Sequence, residues 1–407
     1  MGLDLPEAEA ATGVGPLRRA PRAGGRPLRQ QLYESVRAAG RISRTELARD
    51  LQVSPGSVTP LVSELIGAGL LQEIDDDAAP SGRGRPPVTL GVAPGAGHVA
   101  GVKLADHEAS AVLIDMAGAP VASARTPRDA TDRSPASAVA LVGALIDRLA
   151  AEAGIARSAI GGLGLGLPGI VDHHAGRLRW SPILAGRDLD LAHLLSDALG
   201  LPATVDNDAN CLTMAELWFG RGRSLPDFAV VTIEYGVGMG LVVDHAPYRG
   251  AHGMGMELGH TVVAVDGALC RCGRRGCLEA YVADYALVRE AAVALNGPLP
   301  PRGEVLEALH AQAKDGNAAA RAIFERAGQY LALGLANVAN LFDPRRIILS
   351  GSRMRYDLLW AEDVLSEMSA MVLTDPPPVE VNAWDDLVWA RGAAALALSE
   401  ATPRLLA

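Results

Sequence analysis

His260, Cys270, Cys272 and Cys277 follow the pattern His-x9-Cys-x-Cys-x4-Cys. One imidazole and three thiolates make a complete tetrahedral donor set for zinc, and a site closed by four protein ligands is structural rather than catalytic. Gly273 and Gly276 allow the tight turns that let the thiolates converge. The spacing therefore predicts a zinc loop over residues 260–277. Structural zinc supplies roughly 10–16 kcal/mol in small peptides; in a chain of 407 residues it is expected to fix one loop, not the whole fold. Four cysteines are too few for a disulfide framework at this length. Cys211 stands apart and reads as a core residue.

The second constellation is basic. Residues 18–49 carry nine arginines against Glu34 and Glu46. Three short helices are legible around them. Leu28, Leu32 and Val36 form one helical stripe that ends at Gly40. Ser43 and Glu46 have the spacing of a capping box for a second helix. Ser54 caps a third, with Pro55 at its first position and Val58, Leu61, Val62, Leu65 and Ile66 as its apolar face, closed by Gly69. A Gly/Arg-rich stretch follows, with GRGRP at 82–86. This order describes a winged helix-turn-helix whose third helix enters the major groove by its N-terminal end. The expected DNA contacts are Ser54, Gly56, Ser57 and Thr59 at bases, Arg41, Arg44 and Arg49 at phosphates, and Arg83 and Arg85 in the minor groove. Pro60 is awkward, because proline inside a helix costs about 3 kcal/mol. It should kink the third helix or shift its start.

Four segments are expected. Residues 1–25 lack periodicity and read as a flexible tail, 26–80 as the winged helix-turn-helix, 81–91 as wing and linker. From residue 92 apolar runs such as 111–114, 160–167, 229–233 and 347–349 alternate with helical patterns such as 136–153 and 318–341, the texture of an α/β domain running to 407.

Within that domain, ELGHTVVAVDGALCRCGRRGCLE at 257–279 resembles the signature of the ROK family of repressors, open reading frames and kinases. GLGLPGIVD at 164–172, DNDAN at 206–210, EYGVGMG at 234–240 and NLFDPRRIILSG at 340–351 extend the resemblance over nearly all of residues 28–400. It implies a two-lobed, actin-like α/β fold with a hinge near 208–220 and a sugar in the cleft. By the same resemblance Asn207 and Asp208 are the sugar-binding pair, Asp208 matching the general base of the kinases. Glu257, His260 and Glu279 are further sugar ligands, and Gly186 and Arg187 lie in a loop over the sugar. The chemistry suits hydroxyls, which bond strongly to ionised carboxylates. His260 would bind zinc through one ring nitrogen and offer the other to the sugar.

The phosphate side departs from the family. Its kinases open on a strand and turn resembling DxGGTK; here the aligned residues are Lys103-Leu104-Ala105-Asp106-His107-Glu108. Both glycines are gone, and Asp106 and Glu108 would repel a triphosphate. A third loop reads Ser350-Gly351 where the kinases carry two glycines. The expectation is thus a regulator without kinase activity: no ATP, structural zinc, operator DNA and a sugar effector as partners, and a homodimer or dimer of dimers. The alternative is a sugar kinase carrying a DNA-binding domain.

Net charge is −10, which alone argues against coating nucleic acid. Residues 1–90 balance at eleven basic and eleven acidic, so the deficit lies wholly in 91–407. With no apolar leader and no long uncharged apolar run, the sequence reads as cytoplasmic and without a membrane span.

Overall fold

The computed structural model describes residues 13–17, 26–74, 88–295, 304–351, 354 and 356–407. Helix α1 (Leu28–Ala39) buries Leu32, Tyr33 and Val36 and ends at Gly40, whose φ of 75° suits glycine. After β1 (Ile42–Ser43), α2 (Arg44–Asp50) starts on a full capping box. The Ser43 hydroxyl accepts from the Glu46 N–H at 3.2 Å, and the Glu46 carboxylate accepts from the Ser43 N–H at 2.9 Å. The bonds to Ser43 hold the Glu46 carboxyl below its ordinary pKa.

Helix α3 (Pro55–Gly67) begins at the position expected, with Ser54 as N-cap, and runs through Pro60 unbroken. Its start is not shifted. The donor lost at Pro60 removes the helical partner of the Gly56 carbonyl, which stands on an exposed face. Strands β2 (Leu71–Ile74) and β3 (Thr89–Val92) complete a sheet of order β1-β3-β2. The wing tip, with Arg83 and Arg85, lies outside the described residues. Thr89–Gly91, expected in the wing and linker, and Val92, expected to open the α/β domain, together form the returning strand of this small sheet, because Leu90 and Val92 are buried and close its core. Only residues 93–97 separate β3 from the next strand, and these too are tied, Ala93 N–H to the Leu70 carbonyl at 3.0 Å and the Gly97 carbonyl to the Met116 N–H at 3.1 Å.

The chain divides into two compact units, residues 1–226 with 389–407, and residues 227–388. In the first, β4 (His98–Leu104), β5 (Glu108–Asp115), β6 (Pro120–Pro127), β7 (Ile160–Leu167) and β10 (Ala203–Asn207) form a sheet of order β10-β7-β4-β5-β6. Strands β4, β5 and β6 are antiparallel, while β4-β7 and β7-β10 are parallel. A small hairpin pairs β8 (Ile170–Asp172) with β9 (Arg177–Trp180). Helices α4 (Pro135–Ala153), α5 (Leu191–Leu199) and α6 (Asp208–Phe219) belong to this unit.

In the second unit, β11 (Phe228–Ile233), β12 (Val237–Val243), β13 (Ala246–Tyr248), β14 (Ile347–Gly351) and β15 (Val379–Ala383) repeat the arrangement, in the order β13-β12-β11-β14-β15. Each sheet is an antiparallel meander of three strands followed by two parallel strands on its other side. This duplicated topology is the two-lobed α/β architecture expected. Helices α7 (Glu279–Val282), α8 (Asp284–Ala294), α9 (Val305–Lys314), α10 (Ala318–Phe342) and α11 (Glu362–Met371) complete the unit, with Phe324, Leu331 and Leu335 of α10 fully buried in its core.

Helix α12 (Val388–Leu405), all but its first residue in the first unit, lies directly on the β4–β7 backbone. A Cβ at Gly101 or Gly164 would fall on the backbone of Ala390, Ala393 or Ala394, and one at Gly392 on the Cys211 carbonyl. Cys211 is the core residue expected: its Sγ fills the space beside Gly166. The expected hinge over 208–220 needs correction. Those residues are a hydrogen-bonded helix buried along most of its length, and the chain instead passes between units at 226/227 and 388/389.

The flexible tail also needs correction for Gly13–Leu17, which are docked on the first unit.

Candidate functional site

The metal group forms as its spacing predicts. One ligand atom each from His260, Cys270, Cys272 and Cys277 lies within 4.8 Å of the others. Cys270 Sγ is 3.7 Å from His260 Nδ1, and Cys272 Sγ is 3.7 Å from Cys277 Sγ. With zinc–sulfur bonds of about 2.3 Å, the edges of a tetrahedron come to about 3.8 Å, so the donors suit that ion. Regular structure contributes little here: His260 ends a short 3-10 turn (Leu258–His260), and isolated bridges pair Val262 with Cys277 and Leu269 with Arg275. Burial pushes the Cys277 thiol up to about 12, a cost that a divalent cation removes by holding the thiolate. Because Nδ1 of His260 faces the thiols, Nε2 is the nitrogen left for a hydroxyl.

Glu279 is built into the same neighbourhood. It is buried, accepts from the Val237 N–H at 3.3 Å through Oε2, and meets the Tyr285 hydroxyl at 3.5 Å and the Cys270 thiol at 3.6 Å through Oε1. A Cβ at Gly236 would stand 2.7 Å from Glu279 Oε2, so this glycine leaves room for that carboxylate. Glu257 is exposed and precedes the 3-10 turn.

In the first unit, Asn207 and Asp208 sit where β10 becomes α6. Asn207 Oδ1 accepts from the Ala209 N–H at 2.8 Å, capping α6, and its Nδ2 donates to the Gly169 carbonyl at 2.8 Å. Its side chain thus ties the GLPGIVD segment to the helix. Asp208 opens the helix, where a negative charge complements the dipole. Burial raises the pKa of Asp208, and the Lys103 charge opposes that rise. Lys103 itself lies 3.4 Å from the centroid of the Trp389 ring. Behind the pair, buried Asp206 accepts from Asn207 N–H and from Asn210 Nδ2, both at 2.8 Å, and stands 3.4 Å from His173 Nδ1. Sequence reasoning did not find Lys103–Trp389 or Asp206–His173, whose partners lie far apart in the chain. Gly186, with φ of 96°, and Arg187 are exposed in an irregular loop.

Those residues expected at DNA that the structure describes lie on the winged helix. Ser54, Gly56, Ser57 and Thr59 are all exposed at the start of α3. The Ser54 hydroxyl also holds the Ser57 N–H at 3.2 Å, and the Thr59 hydroxyl donates to the Pro55 carbonyl at 3.0 Å. Arg41 and Arg49 are exposed, while Arg44 bonds Glu73 of β2 at 2.7 Å.

A family model described as the ROK family matches residues 99–400. The chain belongs to the ROK family. It is 25% identical over 374 residues to a xylose repressor of Caldicellulosiruptor bescii, covering 88% of this chain and 92% of that protein. The crystal structure of a ROK family transcriptional regulator, a homologue of the Escherichia coli Mlc protein, superposes with a TM-score of 0.77 at 25% identity, covering 93% of this chain and 96% of the other. A ROK glucokinase from Streptomyces griseus, solved with glucose and AMPPNP, matches with a TM-score of 0.63 at 26% identity, covering 74% of this chain and 99% of the kinase. Both regulators thus span more of this chain than the kinase does. Among the described residues no helix is long and apolar enough to cross a membrane.

Proposed function

We propose that the chain is a sugar-responsive, DNA-binding transcriptional regulator, a repressor of carbohydrate-metabolism genes whose ROK portion binds a sugar without phosphorylating it. One observation carries the reading: a capped winged helix-turn-helix shares a chain with a ROK domain, whose β4–β5 turn, aligned with the kinases' first phosphate loop, reads Ala105-Asp106-His107 without glycine. The candidate sugar residues are, within the first unit, Asn207 and Asp208 at the start of α6 with Gly186 and Arg187 in an exposed loop, and, within the second unit, Glu257, His260 and Glu279. The four-donor group holds structural zinc and so fixes the ring of His260. A dimer would set two copies of α3 on a pseudo-palindromic operator, with Ser54, Gly56, Ser57 and Thr59 toward the bases and Arg41, Arg44, Arg49, Arg83 and Arg85 on phosphates and minor groove. A sugar alters DNA affinity by binding two conformations unequally.

The test is selection of operator DNA from a random pool, followed by titration with xylose, glucose and N-acetylglucosamine. Sugar-dependent release that Glu257→Ala abolishes is the expected result; release unaffected by that change would sink the sensor reading. The kinase reading draws on Asp208, retained at the position of the family's base. Coupled ATP turnover with the same sugars separates the two, since phosphorylation lost in Asp208→Asn would replace the regulator without activity by a bifunctional kinase.

A further inference from the structure

The docked residues Gly13–Leu17 lie against three elements of the first unit. The Val14 N–H donates to the Arg37 carbonyl at 3.0 Å, the Gly15 N–H to the Trp218 carbonyl at 2.9 Å, and the Leu17 N–H to the Arg223 carbonyl at 2.8 Å. Arg223 answers from the other side: its Nε donates to the Gly15 carbonyl at 3.1 Å and its Nη2 to the Ala38 carbonyl at 2.6 Å. The carbonyls of Arg37 and Ala38 belong to the last turn of α1, where helical donors run out and a cation is favourable. The five residues and Arg223 therefore finish a helix of the DNA-binding domain with groups from outside it.

Shape makes the fit specific. A Cβ at Gly13 would fall on the Arg37 carbonyl oxygen and the Gly40 nitrogen, and Gly15, at φ of 103°, lies against the Trp218 ring. The Val14 side chain occupies the space that a side chain at Gly118, in the β5–β6 turn, would need. The seam also holds a buried charge. The Arg37 guanidinium lies 4.7 Å from the centroid of the Trp218 ring and donates to the Thr402 hydroxyl at 2.8 Å; no ion pair to it is present among the described residues. Trp218 closes α6, the helix that Asn207 caps and Asp208 opens. Thr402 lies in the last turns of α12, and Leu406, just beyond, accepts from Arg29 of α1 at 2.5 Å.

We propose that Gly13–Leu17 is an intramolecular clasp that seats the winged helix on the ends of α6 and α12, and that sugar at the Asn207–Asp208 end of α6 acts on DNA affinity through it. The second half rests on the sugar-responsive reading above. Two full-length variants open the clasp without touching the sugar set: Gly13→Val, which adds side-chain bulk where a backbone oxygen stands, and Arg223→Met, which removes the reciprocal bonds. Each is compared with wild type by calorimetry with xylose, glucose and N-acetylglucosamine, by affinity for selected operator DNA with and without the sugar, and by amide exchange at Val14, Gly15 and Leu17.

In wild type the sugar is expected to change DNA affinity by roughly tenfold, a usual size for coupling between sites. In both variants that ratio should fall to about one while the heat of sugar binding persists. A ratio unchanged in the variants overturns the coupling role. Should no sugar bind wild type, the sensor reading fails instead, and the clasp is then judged by exchange alone. Protection of the three amides in wild type, lost in Gly13→Val, supports it; unprotected amides in wild type overturn it.

Discussion

The two sheets share one strand order but differ at the same turn. Between β4 and β5 the connection is Ala105-Asp106-His107; between β11 and β12 it is Glu234-Tyr235-Gly236. The first turn has no glycine left to admit a phosphate. The second keeps one, and that glycine already has an occupant, because the Glu279 carboxylate fills the space beside Gly236. Gly351 of the third loop faces the same situation, with a Glu234 oxygen 2.7 Å from where its Cβ would stand. A retained glycine is thus explained here by packing against a carboxylate, and an acid at this place opposes a nucleotide. What the comparison teaches is that glycine spacing must be read together with the group that uses the space.

The largest expected effect lies beside the second turn. Cys270→Ser removes one of four donors and should abolish stoichiometric zinc in the purified protein, measured by atomic emission, with loss of melting cooperativity in the second unit. Zinc retained in that variant would remove the metal from the account. Gly236→Ala is next. It forces Glu279 or the turn to move, a crowding penalty of about 1–3 kcal/mol, seen as a lower Tm in calorimetry. The matching change in the first turn, His107→Ala, should leave Tm nearly unaltered; equal losses would mean the two turns do the same work.

Smaller again is Asn207→Ala, which deletes the cap of α6 and should cost about 1 kcal/mol in denaturant unfolding. The smallest effect concerns Asp208. Its folded pKa is raised, so the folded state holds that proton more tightly than the unfolded chain does. The resulting stability is complete below the unfolded carboxyl pKa and is lost as pH rises through the folded value. Asp208→Asn should therefore raise Tm at neutral pH relative to Tm at acidic pH, compared with wild type. A variant with the wild-type pH profile would show that Lys103 already cancels the burial.

Local features were legible because their partners are close in sequence. The capping box of Ser43 and Glu46, the Ser54 cap and the four metal ligands all complete themselves within about a score of residues, and residue type at fixed spacing specifies them. The wing's returning strand was hidden by the Pro/Gly-rich run before it, although Leu90 is one of the most buried residues of that domain. The hinge was misplaced because α6 carries a motif that the resemblance assigns to sugar binding, and a motif says nothing about whether its helix bends. The seam on Arg37 stayed invisible for a different reason: it joins residues 14, 37, 218, 223 and 402, and no periodicity links such positions. An arginine on an otherwise apolar helix face was its only trace.

The tie between β3 and β4 bears on how this protein meets its target. A DNA-binding head on a long flexible tether explores many orientations and adapts to sites of varied spacing, at an entropic cost on every encounter. Here five residues, hydrogen-bonded at both ends, join the head to the sheet. Such a head travels with the body that carries it. Were two copies to bind together, the distance between their reading helices would be a property of the whole particle, and a target lengthened by a single base pair would rotate one half-site away from a head that has no slack to follow.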